Sequence, residues 1–190
     1  MSEPESFGRL DLLLELQALD RVPRMGYALR GVPEPESVSE HVFHVVFLVW
    51  ALGRDVPGLD RARAMELALV HDLAEVRFGD LPRPAAGYLP EGAKDAAESA
   101  ALRDLLAPLG ADDEPELLAE YQARRTLEAR FVTVCDKLQI LIKASVYEEQ
   151  GRGAVGEFFG ALEGFDDGGF PPVAEIVEGL KKRRARSTEL

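Results

Sequence analysis

The chain has 190 residues, 46% of them apolar, which is enough to close a hydrophobic core and makes disorder an unsuitable default. Its 22 basic and 34 acidic residues leave a net charge of −12. That balance excludes the extended basic surface needed to track along DNA or RNA, while a small phosphorylated ligand needs only a local cation cluster or a metal. No apolar run approaches the roughly 20 residues that span a bilayer, and the polar start Met1-Ser-Glu-Pro-Glu-Ser lacks signal-peptide character. A cytoplasmic protein without a membrane partner is expected.

In chain order, Leu12, Leu13, Leu16 and Leu19 mark one face of a helix over residues 10–19. Residues 21–38, rich in Pro and Gly, read as irregular. Ser37-Val38-Ser39-Glu40 is a capping-box pattern opening a helix over 41–52, which is apolar nearly all round and is expected at the buried centre. Asp60 is placed to cap a third helix that runs to about residue 77, carries His71 and Asp72, and ends at Gly79. A Pro-rich loop over 81–90 precedes helices over about 91–109 and 114–150, the latter broken near Arg125.

Two short helices, near 154–163 and 172–184, flank the turn-forming Asp166-Asp167-Gly168-Gly169. No strand alternation, repeat or internal linker is visible, so the expected fold is a single all-α domain, with a core over about 10–150 and a helical extension over about 151–190. The basic run Lys181-Lys182-Arg183-Arg184-Ala185-Arg186 reads as a solvated tail. Cys135, the one cysteine, excludes an internal disulfide and reads as a packed small hydrophobe.

His71 and Asp72 stand side by side in an otherwise apolar helical run, a cost that metal binding would explain. On a continuous helix Glu75 lies between them in angle, one turn further on, where a carboxylate can orient or deprotonate an attacking water without ligating the ion. His41 is a third ligand candidate in the first turn of the central helix. His44 is its rival, about 60° away around the helix and deeper in the apolar stretch, where a core role is the plainer reading. Asp136 is the fourth candidate: in the stripe Val132, Asp136, Ile140 it takes a position where an apolar residue is expected. Its neighbour Lys137 diverges from it on a helix and is a weak alternative partner.

The order His41, His71-Asp72, Asp136 resembles the HD-domain metal-dependent phosphohydrolase superfamily. Arg21-Val-Pro-Arg-Met-Gly-Tyr, Glu36-Ser-Val-Ser-Glu-His, His71-Asp-Leu-Ala-Glu, Gly79-Asp-Leu-Pro, Glu120-Tyr, Thr126-Leu-Glu-Ala and Asp136-Lys resemble its subgroup of 5'-deoxynucleotidases and the HD domain-containing protein 2 type. The resemblance covers about residues 10 to 150 and implies a compact HD-domain helical bundle. It implies that His41, His71, Asp72 and Asp136 bind one divalent transition metal ion (manganese, cobalt, iron or zinc). It further implies Glu75 as acid/base, Asp80 near the sugar or leaving hydroxyl, and Arg21 orienting the phosphate, with Val22, Leu81 and Pro82 also at the substrate.

The implied activity is a metal-dependent 5'-nucleotidase releasing phosphate from a nucleoside monophosphate. Another small phosphate or cyclic nucleotide as substrate, or a non-catalytic metal- or nucleotide-binding module, are the alternatives. Relatives in this group can carry a bulky aromatic beside the phosphate-orienting arginine. Val22 stands there, so base stacking is lost at that point, and Tyr88 in the 81–90 loop offers a replacement contact. The resemblance also implies a homodimer, with the apolar stretch around Val155 to Phe159 serving either as the contact or as a cover for the core.

Overall fold

The computed structural model describes residues 8–110 and 114–187, and among these every regular element is helical. The first helix, α1 (Arg9–Leu16), tightens into a 3-10 turn (Gln17–Arg21), so the expected helix over 10–19 closes in two forms. One helical turn, α2 (Met25–Ala28), lies inside the segment read as irregular. The capping box is made as expected: Ser37 Oγ accepts from the Glu40 N–H at 3.3 Å and Glu40 Oε2 accepts from the Ser37 N–H at 2.8 Å. They open α3 (Val38–Leu52).

Helix α3 is buried on one side only. His41, Val42, Val45 and Val49 face inward, whereas Phe43, Phe47 and Trp50 form a stacked outer ridge at 64%, 53% and 44% exposure. The helix packs centrally, as expected, but its all-round apolar pattern does not bring burial on every side. Asp60 caps α4 (Arg61–Val70) by accepting from the Arg63 N–H at 3.1 Å. That helix ends at Val70, seven residues before its expected end. Residues 71–74 form a tight turn, with Leu73 N–H to Val70 O and Glu75 N–H to Asp72 O bonds, and α5 (Glu75–Phe78) follows. Such i→i+3 bonds wind the chain more closely than an α-helix.

Gly79 ends α5 with φ 79°, a left-handed conformation that disfavours other residues, and so redirects the chain toward Asp80, Leu81 and Pro82. After the single turn α6 (Arg83–Ala86) come α7 (Ala93–Leu106) and α8 (Glu114–Ala123). Thr126, accepting from the Ala129 N–H at 3.2 Å, caps the long α9 (Leu127–Glu149), which confirms the break near Arg125.

Helices α3, α4 and α9 pack on one another and hold the centre of the core, in which Leu67, Phe131, Val132 and Leu138 are fully enclosed. The same core cluster continues through the 3-10 segment Val155–Ala161 into α10 (Pro171–Ser187), taking in Val155, Phe159, Leu162, Phe170 and Val173. Val155 and Phe159 thus cover the core of their own chain and are not a free surface for a second copy. The basic run is no loose tail, since Arg183 bonds Glu149, Arg184 bonds Glu148, and the Arg184 guanidinium lies 4.1 Å over Phe159. Cys135 is enclosed, and burial pushes its thiol up, out of nucleophile range. Among the described residues no helix is long and apolar enough to cross a membrane.

Candidate metal centre

Three segments converge on one point. Helix α3 brings His41, the tight turn after α4 brings His71 and Asp72, and α9 brings Asp136. His41 Nε2 lies 3.2 Å from Asp136 Oδ1, 3.5 Å from Asp72 Oδ2 and 3.4 Å from His71 Nε2, and His71 Nε2 lies 3.3 Å from Asp72 Oδ2. The tight turn makes the last contact available: neighbours on a regular helix diverge by about 100°.

Outer partners fix the tautomers. His71 Nδ1 donates to Ala68 O at 2.7 Å, leaving the Nε2 lone pair directed inward. For His41 the logic runs through three residues. Glu36 accepts both bonds from Gln139 Nε2 at 2.9 and 3.2 Å, which orients the amide so that Gln139 Oε1 accepts from His41 Nδ1 at 2.7 Å. Glu36 is anchored by Lys143 Nζ at 3.1 Å, and its backbone N–H donates to Tyr147 Oη at 2.8 Å. His41 Nε2 therefore meets three other donor atoms at 3.2–3.5 Å, and His71 Nε2 meets Asp72 at 3.3 Å, spacings close to the edge of a tetrahedron whose ligands lie about 2.0–2.2 Å from an ion. His41, His71 and Asp136 alone already bring their ligand atoms within 4.8 Å of one another. The donor set fits a divalent transition metal.

Electrostatics agree with a site made for positive charge. Burial would raise Asp136, but its contact with His41 and the proximity of His71 and Arg24 hold it well below the usual carboxylate range. Asp72 is likewise lowered against its burial by His71, Arg24 and His41. Tyr121 Oη donates to Asp136 at 3.3 Å, and its ring meets His71 edge-on. Glu75 differs from both. Burial, then Asp72 and Asp80, push its carboxyl up to about 10, and its Oε2 is enclosed without a hydrogen-bond partner.

The site opens into a cavity of about 730 Å³. His71, Asp72, Glu75, Asp80, Leu81, Pro82 and Asp136 line it; Arg21 and Val22 do not. Arg21 is exposed on the 3-10 turn, and Val22 packs beside Leu19, Val38 and Val42. The arginine of that stretch that lines the cavity beside the ligand cluster is Arg24. Backbone bonds from Arg24 N–H to Glu36 O (2.9 Å) and from Val38 N–H to Val22 O (2.8 Å) pin this stretch against the start of α3. Its guanidinium then reaches Asp72 at 3.2 Å, Asp80 at 3.3 Å and Glu75 at 3.8 Å. Asp80 is committed to this arrangement, one oxygen facing Arg24 and the other accepting from the Met25 N–H at 2.6 Å.

His44 proves the less enclosed of the two histidines on α3, its side chain 44% exposed and 3.8 Å from Glu36, while His41 is fully buried. Lys137 lines the cavity, and Tyr88 is 91% exposed and away from it. Sequence reasoning overlooked Arg24 and Gln139. Arg24 lay inside a quoted motif, and Gln139 carried a signal in being an amide on the buried stripe of α9.

The HD-domain family pattern matches residues 16–165 of the chain. The protein belongs to the HD-domain family. This HD-domain protein is 32% identical over 181 residues to the 5'-deoxynucleotidase HDDC2 of Homo sapiens, covering 93% of this chain and 86% of that one. It is 34% identical over 173 residues to the 5'-deoxynucleotidase HDDC2 of Danio rerio, covering 88% and 84%. Among solved structures, a conserved hypothetical protein from Pyrococcus furiosus superposes with a TM-score of 0.79 at 36% identity, covering 91% of this HD-domain chain and 99% of its own.

Proposed function

We propose that this protein is a metal-dependent phosphomonoesterase that hydrolyses (deoxy)nucleoside 5'-monophosphates to nucleoside and phosphate. The observation that carries the reading is Glu75, a buried carboxyl whose Oε2 accepts no hydrogen bond and lies 3.8 Å from the Arg24 guanidinium, facing a cavity beside the converging ligand atoms. A purely structural ion site has no use for such a group. The names of the similar proteins support the nucleoside monophosphate as substrate class.

In this reading His41, His71, Asp72 and Asp136 hold one manganese, cobalt, iron or zinc ion. When bound, the ion supplies Lewis acidity to a phosphoryl oxygen and acidity to a water molecule. The rest is done by the chain. Arg24, rather than the exposed Arg21, binds the phosphate dianion, exchanging part of its contact with Asp72 and Asp80 for phosphoryl oxygens. Glu75, whose carboxyl the positive charge of a bound ion would lower into the ionised range, takes a proton from the attacking water at Oε2 as the new P–O bond forms, and returns it to the 5'-oxygen as the ester bond breaks. Asp80 keeps Arg24 in place and faces the leaving sugar hydroxyl, while Leu81 and Pro82 wall the cavity against bulk water.

The expected homodimer is part of the same reading, and the face that supports it is the exposed ridge Phe43, Phe47 and Trp50. Phosphate release from a panel of ribo- and deoxynucleoside 5'-monophosphates, with the protein loaded in turn with each of the four metals, tests the activity. Inactivity on every monophosphate with every metal overturns it, and turnover confined to diesters or triphosphates moves the protein to another phosphohydrolase class.

A further inference from the structure

The cavity lining divides into two groups. Lys94, Glu98, Gln122 and Arg124 bring charge and polarity, with Glu98 bound to both Lys94 and Gln122, whereas Tyr27, Ile140, Leu141, Phe158, Ala161 and Phe165 form an apolar end in which Tyr27 touches both Phe158 and Ile140. We propose that the apolar end is the nucleobase pocket and that the segment after α9 supplies its stacking wall through Phe158 and Phe165. The inference rests on the nucleotide reading above and deepens it.

Three observations carry it. First, Phe158, Ala161 and Phe165 recur at three- and four-residue spacing and turn one face to the cavity, while Val155, Phe159 and Leu162 anchor the opposite face in the core at 2–4% exposure. The two cavity-facing rings are only half-buried, although the segment already buries enough apolar area through its other face. Second, the wall is held in position. Phe158 packs on Tyr27 with ring centroids 4.9 Å apart, and the Arg30 guanidinium lies 5.8 Å over its ring. Tyr27 is tied by its hydroxyl to Ile140 O at 2.7 Å.

Third, the spacing suits a nucleotide. Ile140 follows Asp136 by one turn of α9, about 6 Å along the axis, so the apolar end begins one turn from the ligand cluster and Arg24. A phosphate at Arg24 thus leaves its base toward Phe158. The reverse orientation is disfavoured, because the cation at the apolar end, Arg30, is already paired with Glu157, and Asp166 adds a further negative charge there. Stacking lost at Val22 is in this way supplied from the far end of the chain.

Phe158→Leu and Phe165→Leu test the proposal. With the metal-loaded protein, kcat/KM is measured for a deoxynucleoside 5'-monophosphate and for deoxyribose 5-phosphate, the same ester without a base. Stacking on an aromatic wall implies that the ratio of the two falls about 5- to 150-fold in each variant. Saturation-transfer NMR with free deoxyadenosine gives the second readout: base-proton signals seen with the wild type fade in both variants. A ratio left at the wild-type value, with base signals intact, overturns the wall. A wild type that hydrolyses no nucleotide, yet transfers saturation to the nucleoside through Phe158, overturns the nucleotidase reading and leaves the base pocket standing.

Discussion

Replacing Gln139 by Leu should weaken metal binding without touching a ligand. Gln139 is 2% exposed, and Leu has a similar size, so the change is polar rather than steric. It removes the acceptor 2.7 Å from His41 Nδ1 and both bonds donated to Glu36, whose carboxylate keeps Lys143 at 3.1 Å and the more distant His44 at 3.8 Å. With Nδ1–H no longer held, the imidazole loses the orientation and tautomer that aim Nε2 at Asp72 and Asp136. Losing such an outer partner costs about 10- to 100-fold in metal affinity, or about 1.4–2.7 kcal/mol. The stranded donor also costs about 1–3 kcal/mol of folding stability. Competition against a chromophoric chelator reads the first quantity and a urea midpoint the second. Gln139→Glu, which restores an acceptor for His41, should recover part of the affinity. A folded Gln139→Leu protein that binds its metal within two-fold of wild type would refute the relay from Glu36 to His41.

Glu75→Gln should keep its metal by elemental analysis and lose about 10²- to 10⁴-fold in kcat; unchanged turnover removes Glu75 from the chemistry. In the metal-free protein the same variant should stabilise the fold in a pH-dependent way. Glu75 keeps its proton to about pH 10 when folded, against an ordinary value of 4.5, so the folded wild type holds the extra proton between these values and loses stability as pH rises through that window. The melting-temperature gap in favour of Gln should therefore widen from pH 5 to pH 9, and a constant gap contradicts the assignment. Arg24→Ala should raise KM for a monophosphate by about 10- to 150-fold, in line with the loss of a charge-assisted contact, with Lys a partial substitute at best. Gly153→Ala should lower the free energy of unfolding, read from the urea midpoint, by at least about 1 kcal/mol, because φ is 71° and an added Cβ would fall 2.6 Å from Val32 Cγ2 and 2.9 Å from Arg30 O. A midpoint equal to wild type would show that the loop gives way.

What could be read from sequence was local. Ser37, Asp60 and Gly79 mark helix ends because capping and left-handed turns use nearby atoms, and the polar intrusions His41, His71, Asp72 and Asp136 stand out against apolar stripes. The break after Val70 was invisible because Leu73, Ala74 and Val76 continue the apolar rhythm through it, while the turn itself is closed by i→i+3 bonds that leave no mark in residue type. Arg24 displaced Arg21 for a non-local reason: two backbone bonds to the start of α3 decide which of two arginines, three residues apart, faces inward. Phe158 reads from sequence as surface or core, because nothing near it reveals a cavity that also draws its lining from as far away as Tyr27 and Asp72.

The outer ridge of α3 has a practical consequence. Trp50 is the one tryptophan of the chain, and it sits nine residues beyond His41, 44% exposed, with Arg54 across its ring at 5.8 Å. Its fluorescence comes from the face opposite the cavity. Loading metal or nucleotide should leave the emission nearly still, whereas anything that covers Phe43, Phe47 and Trp50 should shift it to the blue. The protein thus carries an optical reporter of whatever covers this ridge, largely deaf to its catalysis.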